Sequence, residues 1–556
     1  MKKLQILLLL LTMVGGLSGH LKCQASTSSK IIFEDDLNIR DLSNEEGQKE
    51  GYTSNMVCVQ LHLDYETKTE RLDVDKDASL KEIKEAKASR LARMKDYYYN
   101  KNKDISSNIE INGNESMYIS KYTPYIEYEF TYEAYKTLEH EIIDEINDCQ
   151  YIDTAYVGYS EKKIKDDMRY TLGCSNGLRI YTDGLFTGEG VTVGILETGI
   201  MDVDHPNFAN TDCEYFDNFW RIENVTDHAI YTSNLIGGSK GILPNARILS
   251  AEINGTYTNE IEWFLENGAD IINMSFGEDG NYGYRTSRTK YLDYIITNYD
   301  VAIVAAAGNN DGGNYKVSNP GCGYNIITVG AANGDLMHLS YSSYLIDNDI
   351  ISKPNIITVG ESLTIAEQYY GLSGTSMSCA AVTGMIGMLF EAYPYCSTSA
   401  ALTSLLVCTT ADMVDDCSRW TDAGFDVRIG SGLLNIYNAI MLAGYEEEMR
   451  VRNVQAGDIL YEATLVIPAN YNFRMGVGRY CGDPSSQNSD TMMDLSLCMY
   501  DRYNTRIAHA YGAKEPILVV EREYDYEKTV RVQIVANSDQ VLSYEDIFFV
   551  TNLGLA

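Results

Sequence analysis

Between residues 190 and 332 the chain alternates two kinds of segment. Five short runs are apolar without the polar alternation of a half-exposed strand: VTVGIL (191–196), ARILSAEI (246–253), ADIINMSF (269–276), VAIVAAAG (301–308) and YNIITVGAA (324–332). Helix-like stretches separate them, among them TNEIEWFLENG (258–268) and TSRTKYLDYIITNY (286–299). Strands of this kind are buried on both faces, and the intervening helices supply the covering layers. The pattern predicts an α/β unit, a doubly wound and mostly parallel sheet. Functional groups in such sheets gather beyond the carboxyl ends of the strands, which puts Glu197, Ser275 and Asn309 on one rim.

The flanks read differently. Residues 26–56 are polar and acidic and are expected to be an unstructured leader. From Met56 a strand (MVCVQLHL), a charged helix (SLKEIKEAKASRLARMKDYYY), a second strand and helix (YIEYEFT, YEAYKTLEHEIIDEI) and a last strand (YIDTAYVGY) predict a small α+β domain. The charged stretch EKKIKDDMRY (161–170) is expected to be an exposed, cleavable linker. Beyond Tyr445 the runs ILYEATLVI, MDLSLCMYD, ILVVERE and TVRVQIVAN, broken by Asn, Gly and Asp, predict a β-sandwich. The expected division is 1–25, 26–165, 166–445 and 446–556.

Composition narrows the role. Acidic residues outnumber basic ones by 79 to 44, a net charge of −35, which argues against nucleic acid and anionic membranes as partners. The N-terminus, MKKLQILLLLLTMVGGLSG, has Lys2 and Lys3, then an apolar run from Ile6 to Val14, then small residues. That is the form of a secretory signal peptide cleaved between Gly19 and Ala25, and a secreted product with no membrane anchor is expected. The 12 cysteines include no CxxC pair, so structural zinc is not expected. An acidic surface suits calcium, but no EF-hand loop is present, so neither a metal site nor an organic cofactor is assigned.

Three stretches carry chemistry. In GLSGTSMSCAAVTG (371–384) a long small-and-apolar run begins at Ser376, so this serine would sit at a helix N-terminus where free N–H groups stabilise negative charge. In VAAAGNNDGG a buried strand ends at Gly308 and presents the Asn309 amide. In NVTDHAIYTSNLIGGSKGILPNARI (224–248), His228 opens a helix-like segment; of seven histidines only His205, His228 and His338 lie in this unit.

Together these stretches resemble the subtilisin-like serine peptidases. Members carry an acid strand ending in D-T/S-G, then H-G-T-x-V-A-G, A-A-G-N and G-T-S-M-x-x-P. In the same order this chain has ETGI (197–200) with HPNF (205–208), HAIYTSN (228–234), AAGN (306–309) and GTSMSCA (374–380), linked by GILPNA, ADIINMSFG, IITVGAA and KPNI. The resemblance implies Ser376 as nucleophile, His228 as general base and then acid, Glu197 as the residue orienting His228, and Asn309 as oxyanion donor. It implies Ser275, Phe276 and Gly277 as the edge pairing with an extended peptide, and Ala306, Ala307 and Gly308 as walls of the first specificity pocket. His205 falls on a structural position. Residues 56–160 resemble the inhibitory propeptide of these enzymes, and the C-terminal segment resembles sandwich domains appended to secreted peptidases.

Departures from the family pattern are Glu197 for Asp, Ala229-Ile230 and Thr232-Ser233-Asn234 after His228, Ala380 for Pro, and Asn355 with Thr358-Val359 in the KPD-like stretch. Glu and Asp have similar intrinsic pKa values, about 4.3 and 3.9, and Ser-His-Glu arrangements work on other folds. The expectation is a secreted serine endopeptidase made as a zymogen, acting on polypeptides through a Glu-His-Ser triad and inhibited by its own propeptide. The alternative is an impaired pseudoenzyme that binds extended peptides at Ser275–Gly277 without cutting them.

Overall fold

The computed structural model describes residues 30–33, 56–65, 68, 72, 74–75, 78–114, 116–159, 164–165, 169–170 and 186–555. Within the last span 217–223, 240, 254, 279–282, 284, 310–315, 346–351, 364–371, 398, 412–424, 481–491, 513–514, 541 and 543–544 lie outside the description. The signal-peptide reading of residues 1–25 also falls outside the described residues.

The N-terminal part is a five-stranded sheet in the order β1-β5-β2-β4-β3, built from β1 (Ile31–Phe33), β2 (Met56–Leu63), β3 (Ser116–Ile119), β4 (Tyr125–Thr131) and β5 (Ile152–Tyr159). Helices α1 (Leu80–Ser106) and α2 (Tyr132–Asp148) accompany it. Each helix starts where the sequence supplies a cap. Ser79 and Glu82 bond each other's backbone reciprocally, and the Thr131 hydroxyl accepts from Ala134 N–H. The polar leader differs from expectation: Ile31–Phe33 pair in parallel with Ala155–Val157, because three apolar residues inside an acidic stretch suffice to extend an open sheet edge. The charged linker differs too. It contributes β6 (Ile164–Lys165) and β7 (Arg169–Tyr170), paired with two other short strands, β12 (Gly277–Glu278) and β16 (Leu372–Ser373).

The central sheet has seven strands, all parallel. They are β8 (Thr192–Glu197), β9 (Cys213–Tyr215), β10 (Arg247–Glu252), β11 (Ile271–Met274), β13 (Ala302–Ala306), β14 (Ile327–Ala332) and β15 (Ile356–Val359), in the order β15-β14-β13-β11-β8-β10-β9. The expected α/β fold with a doubly wound parallel sheet is therefore observed. Alternate side chains serve two cores. Val193, Ile195, Ile271 and Val304 face the layer of α3 (Asp227–Gly237) and α6 (Thr375–Ala392). Leu196, Ile272 and Ile303 face α4 (Thr258–Glu266) and α5 (Ser287–Tyr299). Met94, Tyr98 and Tyr122 of the N-terminal part join that second core, so the two share one apolar interface. Helix α6 is long and apolar enough to cross a membrane, yet nearly all of it is buried inside the protein as its core helix.

The winding reverses beside β8: the chain lays β9 and β10 on one side of it and β11, β13, β14 and β15 on the other. Such a switch point opens a crevice at the carboxyl ends of the strands. Glu197 ends β8, and Ser275 and Asn309 follow β11 and β13.

After α7 (Ser399–Cys408) and α8 (Ile436–Leu442) the chain forms two four-stranded antiparallel sheets packed face to face around one core. One is β17 (Glu447–Val451), β24 (Glu545–Thr551), β19 (Phe473–Arg479) and β22 (Ile517–Arg522). The other is β18 (Ile459–Ile467), β23 (Lys528–Ala536), β20 (Leu495–Tyr500) and β21 (Arg506–Gly512). The sandwich lies close on α7. A Cβ placed on Gly478 would meet the Ala400 carbonyl at 2.3 Å, and one on Gly476 the Ser404 carbonyl at 2.5 Å.

Candidate active site

His228 is the second residue of α3, whose start is fixed by the Thr226 hydroxyl accepting from Ala229 N–H at 3.3 Å. Its Nδ1 lies 2.8 Å from Glu197 Oε2, with the carboxylate fully buried and the imidazole 4% exposed. The longer acid therefore reaches the ring despite its extra methylene. Ala229 and Ile230, which replace smaller family residues, are buried in the core and leave that contact intact.

Ser376 occupies the second position of α6. Gly374 caps this helix at φ +147°, a conformation that disfavours side chains, and so supplies no side-chain cap of its own to the first turn. Asn309 reaches this terminus through its amide oxygen. Oδ1 accepts from Thr375 N–H at 2.8 Å and from the Thr375 hydroxyl at 3.0 Å, and that hydroxyl in turn accepts from Gly308 N–H at 3.2 Å. With its oxygen so engaged, the Asn309 amide has its NH₂ group as its donor end, the kind of group that stabilises a developing oxyanion.

Ser376 and Ser275 bond reciprocally. The Ser376 hydroxyl donates to the Ser275 carbonyl at 2.8 Å, and the Ser275 hydroxyl donates to the Ser376 carbonyl at 3.0 Å. Beneath them Asn273 donates to Ser275 Oγ at 2.9 Å and accepts from Thr383 Oγ1 at 3.0 Å, which ties β11 to α6. Cys379, one turn along α6, lies 3.3 Å from Asn273 Oδ1, and burial pushes its thiol up to about 12. Asn273, Thr375 and Thr383 were not singled out from the sequence. Polar residues recurring on a buried strand and a buried helix were the available signal.

The expected peptide edge and pocket walls meet in part. Phe276 is buried, packed edge-on to Tyr257 with ring centroids 6.1 Å apart, so it offers a peptide its backbone alone. Ala306 points into the central core and Ala307 into a small cluster with Val317, Cys322 and Leu345. Gly277 and Gly308 both border one further residue, Ser318. His205 caps a short 3₁₀ turn, its Nδ1 accepting from Asn207 N–H at 3.2 Å. Among the described residues no group of three or more His, Cys, Asp or Glu side chains is arranged to hold a metal.

Comparison with known proteins agrees with this arrangement: residues 188–432 match the model of the Subtilase family. This region of the chain is a subtilase domain. It is accordingly a subtilisin-like serine protease, a hydrolase acting on peptide bonds. Subtilisin DY of Bacillus licheniformis is 27% identical over 268 residues, 45% of this chain and 91% of that protein. The thermostable alkaline protease of Halalkalibacterium halodurans is 28% identical over 254 residues, 42% of this chain and 66% of that protein. Among solved structures, fervidolysin from Fervidobacterium pennivorans, a keratinolytic enzyme related to subtilisin, aligns over 90% of this chain and 72% of its own at 15% identity and a TM-score of 0.48. The matched residues account for the central sheet and α3 to α6; the N-terminal sheet and the whole C-terminal sandwich lie outside them.

Proposed function

We propose that this chain is a secreted serine endopeptidase made as a zymogen, which cuts peptide bonds through a Glu197–His228–Ser376 triad. Attack on a peptide carbonyl by Ser376 Oγ requires its proton to leave the Ser275 carbonyl and pass to His228 Nε2. Glu197 holds the Nδ1–H side of the ring and stabilises the imidazolium that forms. The Asn309 amide and the Ser376 backbone N–H take the oxyanion. His228 then protonates the leaving amine, and water, activated by the same imidazole, releases the acyl-enzyme.

The observation that carries the zymogen reading is the path of the chain itself. Ile164–Lys165 pair antiparallel with Gly277–Glu278, and four residues after Lys165, Arg169–Tyr170 pair antiparallel with Leu372–Ser373. One partner strand follows Ser275, which is bonded to Ser376; the other ends three residues before Ser376. Two short strands, 164–165 and 169–170, thus pair with the segments that flank the nucleophile, as an extended substrate would on either side of a cut bond. The N-terminal part, held to the domain by α1, would be the inhibitor that this cut separates. Export is supported by the form of residues 1–25 and by relatives such as one named an extracellular serine proteinase, from a Thermus species.

The test is processing of the purified precursor, wild type beside Ser376→Ala. The wild type is expected to lose its N-terminal part by a cut between Lys165 and Arg169, located by mass spectrometry, and Ser376→Ala to stay whole. A wild type that stays intact and cuts no peptide, even after an added protease removes the N-terminal part, would make the domain a peptide binder.

A further inference from the structure

The C-terminal sandwich ties one of its two open sides together and leaves the other unpaired. On the tied side the edge strands β21 and β22 are bridged: Arg522 Nε and Nη2 both donate to the Ile507 carbonyl, at 3.0 and 2.6 Å. On the opposite side β18 is an edge strand that pairs with β23 alone. Among the described residues no backbone group outside β23 bonds it.

Native sheets ordinarily blunt such an edge with Pro, with Lys or with a bulge that twists it away. The sequence of β18, ILYEATLVI, has neither Pro nor Lys. Its irregularity against β23 lies at its start, between Ile459 and Tyr461, and the register from Tyr461 to Ile467 is unbroken. Its single charge, Glu462, is answered within the sheet by Arg531 at 3.6 Å and by the Gln533 amide. Tyr461, Ala463, Leu465 and Ile467 pack on the sandwich core, whereas Glu462, Thr464 and Val466 are exposed.

An open edge of this kind accepts another extended strand, and β18 is complementary to itself. Laid antiparallel about a two-fold axis at Ala463, Leu460 falls opposite Val466, Tyr461 opposite Leu465 and Glu462 opposite Thr464. Apolar then meets apolar, the one carboxylate meets a hydroxyl, and the core-facing sides of the two sheets coincide. A shift of one residue would set the core-facing side chains of one copy beside the exposed ones of the other. A shift of two, to an axis at Thr464, would set Glu462 against Val466.

We propose that β18 joins two copies of this chain across a two-fold axis at Ala463, making their four-stranded sheets continuous. This edge lies outside the matched subtilase residues, and its use does not depend on catalysis. A strand pair buries less than the ~1,200 Å² of a standard interface, and the acidic charge of each chain opposes association, so a dissociation constant on the order of 10 µM is expected.

The test is sedimentation equilibrium of the Ser376→Ala precursor over about 1 to 100 µM protein in ~0.15 M salt. With β18 unchanged, a monomer–dimer equilibrium is expected. Thr464→Glu places a carboxylate opposite each Glu462 and should weaken the dimer roughly tenfold; Thr464→Lys places an ammonium there and should tighten it severalfold. Opposite signs from two substitutions at one exposed position cannot come from unfolding. A chain that stays monomeric at about 100 µM overturns the inference. So does a dimer that both substitutions weaken alike, which would move the axis to Thr464, and one that neither affects, which would join through another surface.

Discussion

Asn309 and Thr375 are joined through one oxygen. Oδ1 of the asparagine accepts both the backbone N–H and the hydroxyl of Thr375, at 2.8 and 3.0 Å. An amide held by its oxygen cannot flip without losing both bonds, which fixes the orientation of the group proposed as the oxyanion donor.

Replacement of Asn309 by Ala should therefore lower kcat by about 10²–10³ with little change in KM, a magnitude established on subtilisin itself. Thr375→Val keeps the backbone donor and removes the hydroxyl, so its loss should be smaller. Steady-state kinetics of the two processed variants checks the order; equal losses would mean that the hydroxyl, not the amide, governs the site.

The 2.8 Å contact between Glu197 and His228 makes a second prediction. The buried backbone of β8 is held by parallel partners on both sides and cannot advance to compensate for a shorter acid. Glu197→Asp should then reduce kcat on the order of 10²-fold, the scale on which a misplacement of about 1 Å acts. Glu197→Ala should reduce it by about 10⁴. An aspartate variant as fast as wild type would show that the site tolerates either length.

The N-terminal part should release its partner as pH rises. Glu262 on α4 accepts from Tyr118 OH at 2.5 Å, Ser120 Oγ at 2.6 Å and Lys121 N–H at 3.2 Å, all from the N-terminal part. Burial pushes this carboxyl up to about 7, against the opposing pull of those bonds and of the Lys121 charge. Glu127, bonded to Tyr125 and to Thr256 of the partner, is raised by burial in the same sense. Once separated, Glu262 returns toward its ordinary 4.5. The complex thus binds more protons than the separated parts, so association is strongest below about 4.5 and weakens as pH climbs to about 7, by up to roughly tenfold per unit. Glu266, held low by Lys95 and Lys121 despite its own burial, acts with the opposite sign but below this window. Co-elution of the processed halves by size exclusion at pH 5, 6, 7 and 8 measures this. Glu262→Gln should flatten the dependence.

The sandwich is expected to be energetically coupled to the subtilase domain through α7. Gly478→Val places a side chain where a Cβ already lies 2.3 Å from the Ala400 carbonyl, and should destabilise by about 1–3 kcal/mol. Thermal unfolding of the Ser376→Ala precursor background should move to lower temperature. An unchanged midpoint would mean that β19 and α7 part without loss.

Much of the fold was legible because it rests on local pattern. Apolar runs such as VAIVAAAG can be satisfied only between two covering layers, and a parallel sheet of seven strands is what they form. The helix starts at Ser79 and Thr131 follow from hydroxyls placed one residue ahead of helical spacing. The site was legible to the extent that its parts are motifs of covalent spacing. ETGI, AAGN and GTSM each carry their reactive residue at the end of a recognisable strand or the start of a helix.

Less legible were relationships between distant segments made of ordinary residues. Nothing local distinguishes Ser318 from another loop serine; its position between Gly277 and Gly308 exists only after three separate turns converge. The linker reads as charged and irregular, and only packing turns it into two short strands on either side of Ser376. Glu262 is one acid among 79 acidic residues until Tyr118 and Ser120, more than 140 positions away, close over it and remove its water. Sequence by itself determined the architecture, because strand burial, helix starts and motif spacing are properties of neighbouring residues, and its resemblance to the subtilisin-like peptidases proposed which acid, histidine and serine act together. Tertiary structure alone decided what each of those residues touches, which segments pair with 164–165 and 169–170, and which carboxyl changes acidity, because desolvation and hydrogen-bond geometry depend on neighbours in space.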